Sequence, residues 1–446
     1  MRSLNQLRSD ASRIWSAALH AVDAKAAVRK CVTRRQHELR AGKLCLDLRN
    51  FGRVWVIGAG KAAAHMGQAL EQVLGKFVTG GLLVTKYGHA LPLKKLTLLE
   101  AGHPLPDANS AAAGLRLYSF VKEQVAPEDL VFCVFSGGAS ALLSLPVPGI
   151  TWQEKQACTK LLLNAGADVK ETNAIRKHLS LLKGGNLARL LAPAAVVSLV
   201  LSDVVGDSLE TVASGPLVAD PSTFGDCLET VLRLDLLDRI PASIHRRLED
   251  GTAGRVPETP KPGDPALQSV VSFMVANNST ACAAAAREAR RRGYRTTILT
   301  TRLEGDTRQA ARFHMSIAEE IVSGRGPARR PACLLSGGET TVRVTGTGMG
   351  GRNQEFALCC ARPLASLAAP CVVASLGTDG TDGPTDAAGA VADNTTLPRS
   401  LKFGSRFLME SLDNNDSYHF FKRLGDLIIT GPTGTNVMDL HIILTG

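Results

Sequence analysis

The sequence predicts an α/β protein of two domains. Three observations carry that expectation. At 446 residues the chain exceeds what one hydrophobic core usually fills. Its 42 glycines and 4% aromatic content suit a protein with many strand-to-helix turns. Short apolar runs also end repeatedly in glycine-rich turns that lead into helix-forming stretches.

Composition narrows the class further. No apolar run approaches the about 20 residues needed to span a bilayer, so a soluble protein without a membrane partner is expected. The balance of 51 basic against 41 acidic residues gives a formal charge of +10, which favours anionic ligands. Basic residues are scattered and aromatics sparse, so small anions fit better than nucleic acid. Ten cysteines without a CxxC pair read as reduced residues of a cytoplasmic protein.

The N-terminus is basic, as a targeting segment would be, but Asp10, Asp23 and Glu38 interrupt it. Leu4, Leu7, Ile14, Ala18 and Val22 share one helical face, which predicts a structural first helix. Residues 51–57 form a strand that turns at Gly58-Ala59-Gly60 into a helix from Lys61 to about residue 74. That turn resembles a dinucleotide-binding start, yet the next strand, 81–85, ends in Lys86 where an acid would hold the ribose of NAD. NADP survives this test, because a cation suits its extra phosphate. Lys61 follows the turn, where it either reaches a bound phosphate or is a surface lysine. A third strand, 96–100, leads to His103 between Gly102 and Pro104, either structural or at a ligand site.

Residues 131–135 then end in Ser136-Gly137-Gly138-Ala139-Ser140, a strand followed by a turn and a helix start. Backbone N–H groups pointing outward there make an anion cradle, although the same pattern serves an ordinary βα loop. Ser336-Gly337-Gly338 repeats the motif after residues 333–335, while 339–344 alternates like a strand. Thr151 and Glu154 form a capping box for a helix reaching about residue 164. Farther on, Asn173, Arg176, Ser180 and Lys183 fall in a segment whose polar stripe is either solvated or lines an anion site. The apolar strand 194–201 delivers Asp203 and Asp207, which suit Mg²⁺ or a substrate hydroxyl, or else a helix N-cap.

The Pro- and Gly-rich stretch 251–265 reads as a linker, which places the domains at 1–265 and 266–446. Beyond it the strand-helix alternation restarts. The loop 346–351 opens a helix with Arg352, Asn353 and Glu355, a flexible way to present a guanidinium to a phosphoryl group. Asp379, Asp382 and Asp386 crowd one tight loop after strand 372–376. They suggest Mg²⁺ or hydroxyl contacts, against ordinary Asx-turns. Residues 414–417 and 430–436 add polar turns.

Together these motifs resemble the class II glycerate kinase (glycerate 2-kinase) family, whose C-terminal portion is called the MOFRL domain. The carriers are Gly58 to Lys61, Gly102-His103-Pro104, Ser136 to Ser140, Asn173 to Ser180, Ser202 to Asp207, Gly350 to Glu355, Gly377 to Asp386 and Thr430 to Asn436. The resemblance implies two three-layer α/β/α domains, the N-terminal one Rossmann-like, with the active site in the interdomain cleft. It implies transfer of the γ-phosphoryl group of ATP to D-glycerate, usually at the 2-hydroxyl, with Mg²⁺, by a monomer or homodimer. Lys61, Arg352 and Asp203 are the catalytic candidates. Gly58, Gly60, His103, Ser136, Gly137, Gly138, Ser140, Asn173, Arg176, Asp207, Asn353, Glu355 and Asp379 are candidate binding residues, and Asp379 with Asp382 candidate metal ligands. Ala139 departs from the family, which has a third glycine there; a β-carbon restricts the turn wherever positive φ is needed. The alternative expectation is an NADPH-linked hydroxypyruvate reductase, resting on the Gly58 turn and Lys86.

Overall fold

The computed structural model describes residues 2–446, which form two compact units, 24–275 and 2–23 with 276–446. The first is built on six strands: β1 Val54–Ala59, β2 Val78–Lys86, β3 Leu96–Ala101, β4 Leu130–Phe135, β5 Ala195–Leu201 and β6 Val270–Ala276. Their order is β3-β2-β1-β4-β5-β6, with β1 to β5 parallel. The chain therefore builds outward to β3, returns to the centre and builds outward the other way. Crossovers between parallel strands are right-handed as a rule, which places helices on both faces of such a sheet. Every residue of β1 and β4 is accordingly buried, as continuous apolar runs such as Leu130–Phe135 require. A smaller apolar core joins the helices Trp152–Asn164, Val169–His178, Phe224–Arg233 and Ala242–Thr252 through Leu162, Ile175, Phe224 and Leu248.

The second unit carries β7 Arg295–Leu303, β8 Ala332–Gly338, β9 Cys371–Gly377, β10 Gly389–Asp393, β11 Leu427–Ile428 and β12 Asp439–Thr445. Their order is β7-β8-β12-β9-β10-β11; β7 and β8 pair in parallel and the remaining neighbours antiparallel. Leu334, Val373 and Ile443 join the core around Phe356 and Phe420. The residues alternating with them are buried as well, so this sheet too is covered on both sides. No described helix is long and apolar enough to cross a membrane.

Four expectations differ from the structure. The compact units do not divide at 265/266. Helix Leu4–Ala21 packs on helix Asn278–Arg291, and β6 completes the first sheet, so the chain changes unit at 275/276. The stretch 251–265 is not a free linker. Asp220 donates its N–H to Pro260 O at 2.8 Å, and Thr259 Oγ1 donates to the Asp220 carboxylate at 3.0 Å. Ser336-Gly337-Gly338 is not a second turn either, since it continues β8 opposite Asp439–His441 of β12. Residues 339–344 form no strand, and only Thr341 keeps a bridge, to Asp306.

Candidate active site

In the first unit the candidate residues meet where the strand order reverses, beyond the carboxyl ends of β1 and β4. A crevice forms at such a point because the chains leaving adjacent strands diverge to opposite faces. Here the two turns are knitted together. Lys61 donates its N–H to Gly137 O at 2.9 Å, Ala62 to Ser136 Oγ at 3.0 Å, and Ser136 to Ala59 O at 3.2 Å. A β-carbon on Gly60 would stand 2.1 Å from Ser136 Oγ, and one on Gly58 would stand 1.9 Å from Val134 O. These glycines therefore serve close approach of the two turns. With Ala63 donating to Gly60 O, the N–H groups of residues 61–63 at the start of helix Ala63–Leu74 are spent on protein.

The Ser136 turn is different. Gly138 has φ +86° and precedes a single helical turn, Ala139–Leu142. Among the described residues, neither Gly137 nor Gly138 donates its N–H to a protein acceptor, which leaves two donors for an anion. The Asp203 carboxylate, from the loop after β5, lies against Gly137, where a β-carbon would stand 1.7 Å from Oδ2. His103, from the loop after β3, lies against Gly138 at 2.7 Å from the corresponding point. Four of the predicted groups thus converge: Lys61, His103, the Ser136 turn and Asp203. Asp203 and Asp207 cap no helix, because residues 202–211 are turns. Asp207 adopts φ +59° beside the exposed Gly206. Ala139 is no obstacle, since the positive φ falls on Gly138 instead.

Ser140 Oγ pairs with Ser214 Oγ at 2.7 Å, and Ser214 reaches Asn173 Oδ1 at 3.4 Å. Helix Val169–His178 stops before Ser180, so the stripe through Arg176, Ser180 and Lys183 is not one helical face. Lys183 is brought back by a loop, and its Nζ donates to Ser140 O at 2.9 Å and Leu143 O at 2.8 Å. Ser140, Arg176 and Lys183 line one cavity of about 730 Å³, together with Lys155, which the sequence does not single out.

The second unit builds its own cluster, where Gly338 of β8 and Gly377 of β9 lie abreast of Asp439 of β12. Arg352, at the start of helix Arg352–Ser366, donates Nε to Asp439 Oδ2 at 2.5 Å and Nη2 to Oδ1 at 3.1 Å, while Nη1 meets Glu339 at 2.7 Å. Burial works against its charge, but Asp439 and Glu339 outweigh it and hold the guanidinium firmly protonated. Asn353 is fully buried and donates Nδ2 to Asp439 at 2.9 Å. Glu355 is buried against Arg308 at 2.7 Å and Asn415 at 3.1 Å. These two side chains face protein groups, and Asn353 shares Asp439 with Arg352.

Asp382 likewise has a structural task. Its Oδ1 accepts the N–H of Asn353 at 3.0 Å and its Oδ2 that of Gln354 at 2.8 Å, which caps the Arg352 helix. Burial pushes its carboxyl up to about 6 despite those bonds. Asp379 is half-buried at the loop surface and accepts from Thr381 N and Oγ1, both at 3.0 Å. No group of three or more metal-ligating side chains occurs among the described residues.

Nor is the 346–351 loop flexible. Asn415 Oδ1 accepts from Thr345 and Gly346, Asn414 Oδ1 from Thr347, and Asp416 Oδ1 from Met349. β-Carbons on Gly346 and Gly348 would stand 2.4 and 2.5 Å from Asn414 backbone atoms. The polar turn 414–416 therefore exists to hold this loop, which its spacing in sequence gives no means of seeing.

Comparison with known proteins finds relatives along most of the chain. Residues 10–249 match a domain of unknown function (DUF4147), and residues 332–439 match the MOFRL family. The chain is 43% identical over 394 residues to a glycerate 2-kinase of Pyrococcus horikoshii, covering 88% of this chain and 87% of that one. It is 42% identical over 404 residues to a D-glycerate 2-kinase of Thermotoga maritima, covering 90% and 93%. A putative hydroxypyruvate reductase of Agrobacterium vitis is 42% identical over 402 residues, covering 89% and 100%. Among solved structures, a glycerate kinase of Thermotoga maritima superposes with a TM-score of 0.87 at 39% identity, covering 99% of this chain and 100% of that one.

Proposed function

Because the chain belongs to the glycerate kinase family whose C-terminal portion is the MOFRL domain, we propose that it transfers the γ-phosphoryl group of ATP to the 2-hydroxyl of D-glycerate. The observation that carries the roles of individual residues is the convergence of Lys61, His103, Gly137, Gly138 and Asp203 at the reversal point of the first sheet. Phosphoryl transfer asks little covalent chemistry of a protein; it needs aligned oxygens and neutralised charge. The free N–H groups of Gly137 and Gly138 hold an oxyanion, with His103 beside it. Asp203 orients the acceptor hydroxyl and takes its proton.

Lys61 and Arg352 supply positive charge to the transferring phosphoryl group. Arg352 has five N–H donors, of which Asp439 and Glu339 engage three, so two remain for phosphoryl oxygens in a fixed plane. For Mg²⁺, Asp382 does not fit, since helix N–H groups occupy its oxygens. Asp379, an oxygen ligand at the surface, does fit an ion that keeps most of its contacts with phosphates and water. When bound there, Mg²⁺ would neutralise phosphate charge. Cytoplasmic action as a monomer or homodimer belongs to the same proposal.

A nicotinamide reaction has less support. The N–H groups at the start of helix Ala63–Leu74, where a dinucleotide pyrophosphate would sit, already bond to Gly137 O, Ser136 Oγ and Gly60 O. Steady-state kinetics of Lys61→Ala and Arg352→Ala test the kinase roles. Each is expected to lower kcat by about 10³-fold or more, with a smaller change in KM for ATP. Near-normal turnover in both would remove the mechanism.

A further inference from the structure

The cavity beside Ser140 is lined by Lys155, Lys160, Arg176 and Lys183, and by no carboxylate. Lys155 is 4% exposed, and its Nζ makes no hydrogen bond. Arg176 and Lys183 form no ion pair among the described residues, although Lys183 is satisfied by two carbonyl oxygens. Buried ammonium groups are almost always paired, because removing one from water without an acceptor is costly. Three basic side chains gathered without an acid make a site suited to an anion that arrives from outside.

Which anion follows from the loop between the two features. Gly137 lies against Asp203, and Ser140, three residues later, lines the cavity. Three residues span at most about 11 Å, which bounds the separation of the Asp203 end of the turn from its cavity end. A 2-hydroxy acid has its carboxylate on the neighbouring carbon.

We propose that this cavity takes the carboxylate of the acceptor acid, with Lys155 as its direct counter-charge and a determinant of preference for the acid over a neutral analogue. The inference rests on the kinase reading above. Facing Lys155 are Arg176 from helix Val169–His178 and Lys183 beyond it, with Cys158 and Lys160 on its own helix; the 104–106 segment brings no titratable group. Burial first, and then Arg176, lowers the ammonium to about 7, so it is partly neutral near neutral pH. An anion binding beside it draws a proton on to Lys155 from solution.

Titration calorimetry on the full chain tests this, with D-glycerate, D-glyceramide and ATP as separate ligands at pH 7.5. Two buffers of different ionisation enthalpy report protons taken up. The wild type should bind D-glycerate with proton uptake and bind the amide weakly. Lys155→Met should weaken D-glycerate at least tenfold, remove the uptake and leave ATP within twofold; Lys155→Arg should bind D-glycerate without uptake. Unchanged D-glycerate binding in Lys155→Met overturns the proposal, and a loss confined to ATP gives the cavity to the nucleotide instead. Should Lys155→Met not fold, absence of proton uptake in the wild type overturns it equally. Binding as expected without any phosphorylated product would sink the kinase reading alone, whereas turnover with an unaltered KM for glycerate in Lys155→Met would sink this inference alone.

Discussion

A methyl group added at Gly137 has no room, since its carbon would stand 1.7 Å from Asp203 Oδ2 and 3.0 Å from Oδ1. Gly137→Ala must therefore push the carboxylate or the turn aside. A fall in kcat/KM of about 10²-fold is expected from misplacing the acceptor by roughly 1 Å, with the melting temperature little altered. Wild-type kinetics in that variant would detach Asp203 from the site. Lys155 offers a second single-residue test, on stability. Its ammonium is lowered from 10.5 to about 7 by burial and then Arg176, so between those values the unfolded chain binds the proton that the folded chain lacks. Stability then rises with pH through that window, and the penalty is fully present below about 7. Lys155→Met should flatten this rise and raise the melting temperature at pH 6, by about 1–3 kcal/mol of stability. Thermal melts of both proteins from pH 6 to 9 read the difference, and parallel curves would contradict it.

The helix Arg352–Ser366 is positioned from its first turn. Gly351 at its N-cap has no side chain to offer, and Asp382 supplies the acceptor for the N–H groups of Asn353 and Gln354. Asp382→Ala removes a cap and loosens Arg352, so a loss of about 1–2 kcal/mol with a lowered kcat is expected. Denaturant unfolding paired with kinetics checks it; a stability loss without a kinetic one would show that Arg352 does not depend on this cap. Elements set by local chemistry were legible in sequence. Thr151 and Glu154 do form a capping box for Trp152–Asn164, and the apolar run before Ser136 is a buried strand. Elements decided by distant partners were not. Ser336-Gly337-Gly338 looks like the turn at Ser136, yet β7 and β12 on either side extend it as strand. The acids of the 379–386 loop look alike, yet only Asp382 meets a helix terminus.

At the scale of the whole molecule, the chain's first helix completes the second unit. Arg8 pairs with Asp393 and with Asp426 at 2.8 Å, and Asp10 binds Arg2, Arg292 and Tyr294. Linear order concealed this, because nothing in Leu4–Ala21 says which sheet its apolar face will cover. The motifs that carry the family resemblance were legible because they concentrate at strand ends, where glycine and charge stand out against apolar runs. Lys155 was not, because one lysine in a helix looks solvated until its burial is known. The central claim is that these parts serve phosphoryl transfer to one hydroxyl of glycerate. Phosphorus NMR of the products formed from Mg·ATP and D-glycerate tests it most directly. The account predicts ADP and 2-phosphoglycerate in equal amounts; 3-phosphoglycerate, or ATP left intact while NADPH reduces hydroxypyruvate, would contradict it.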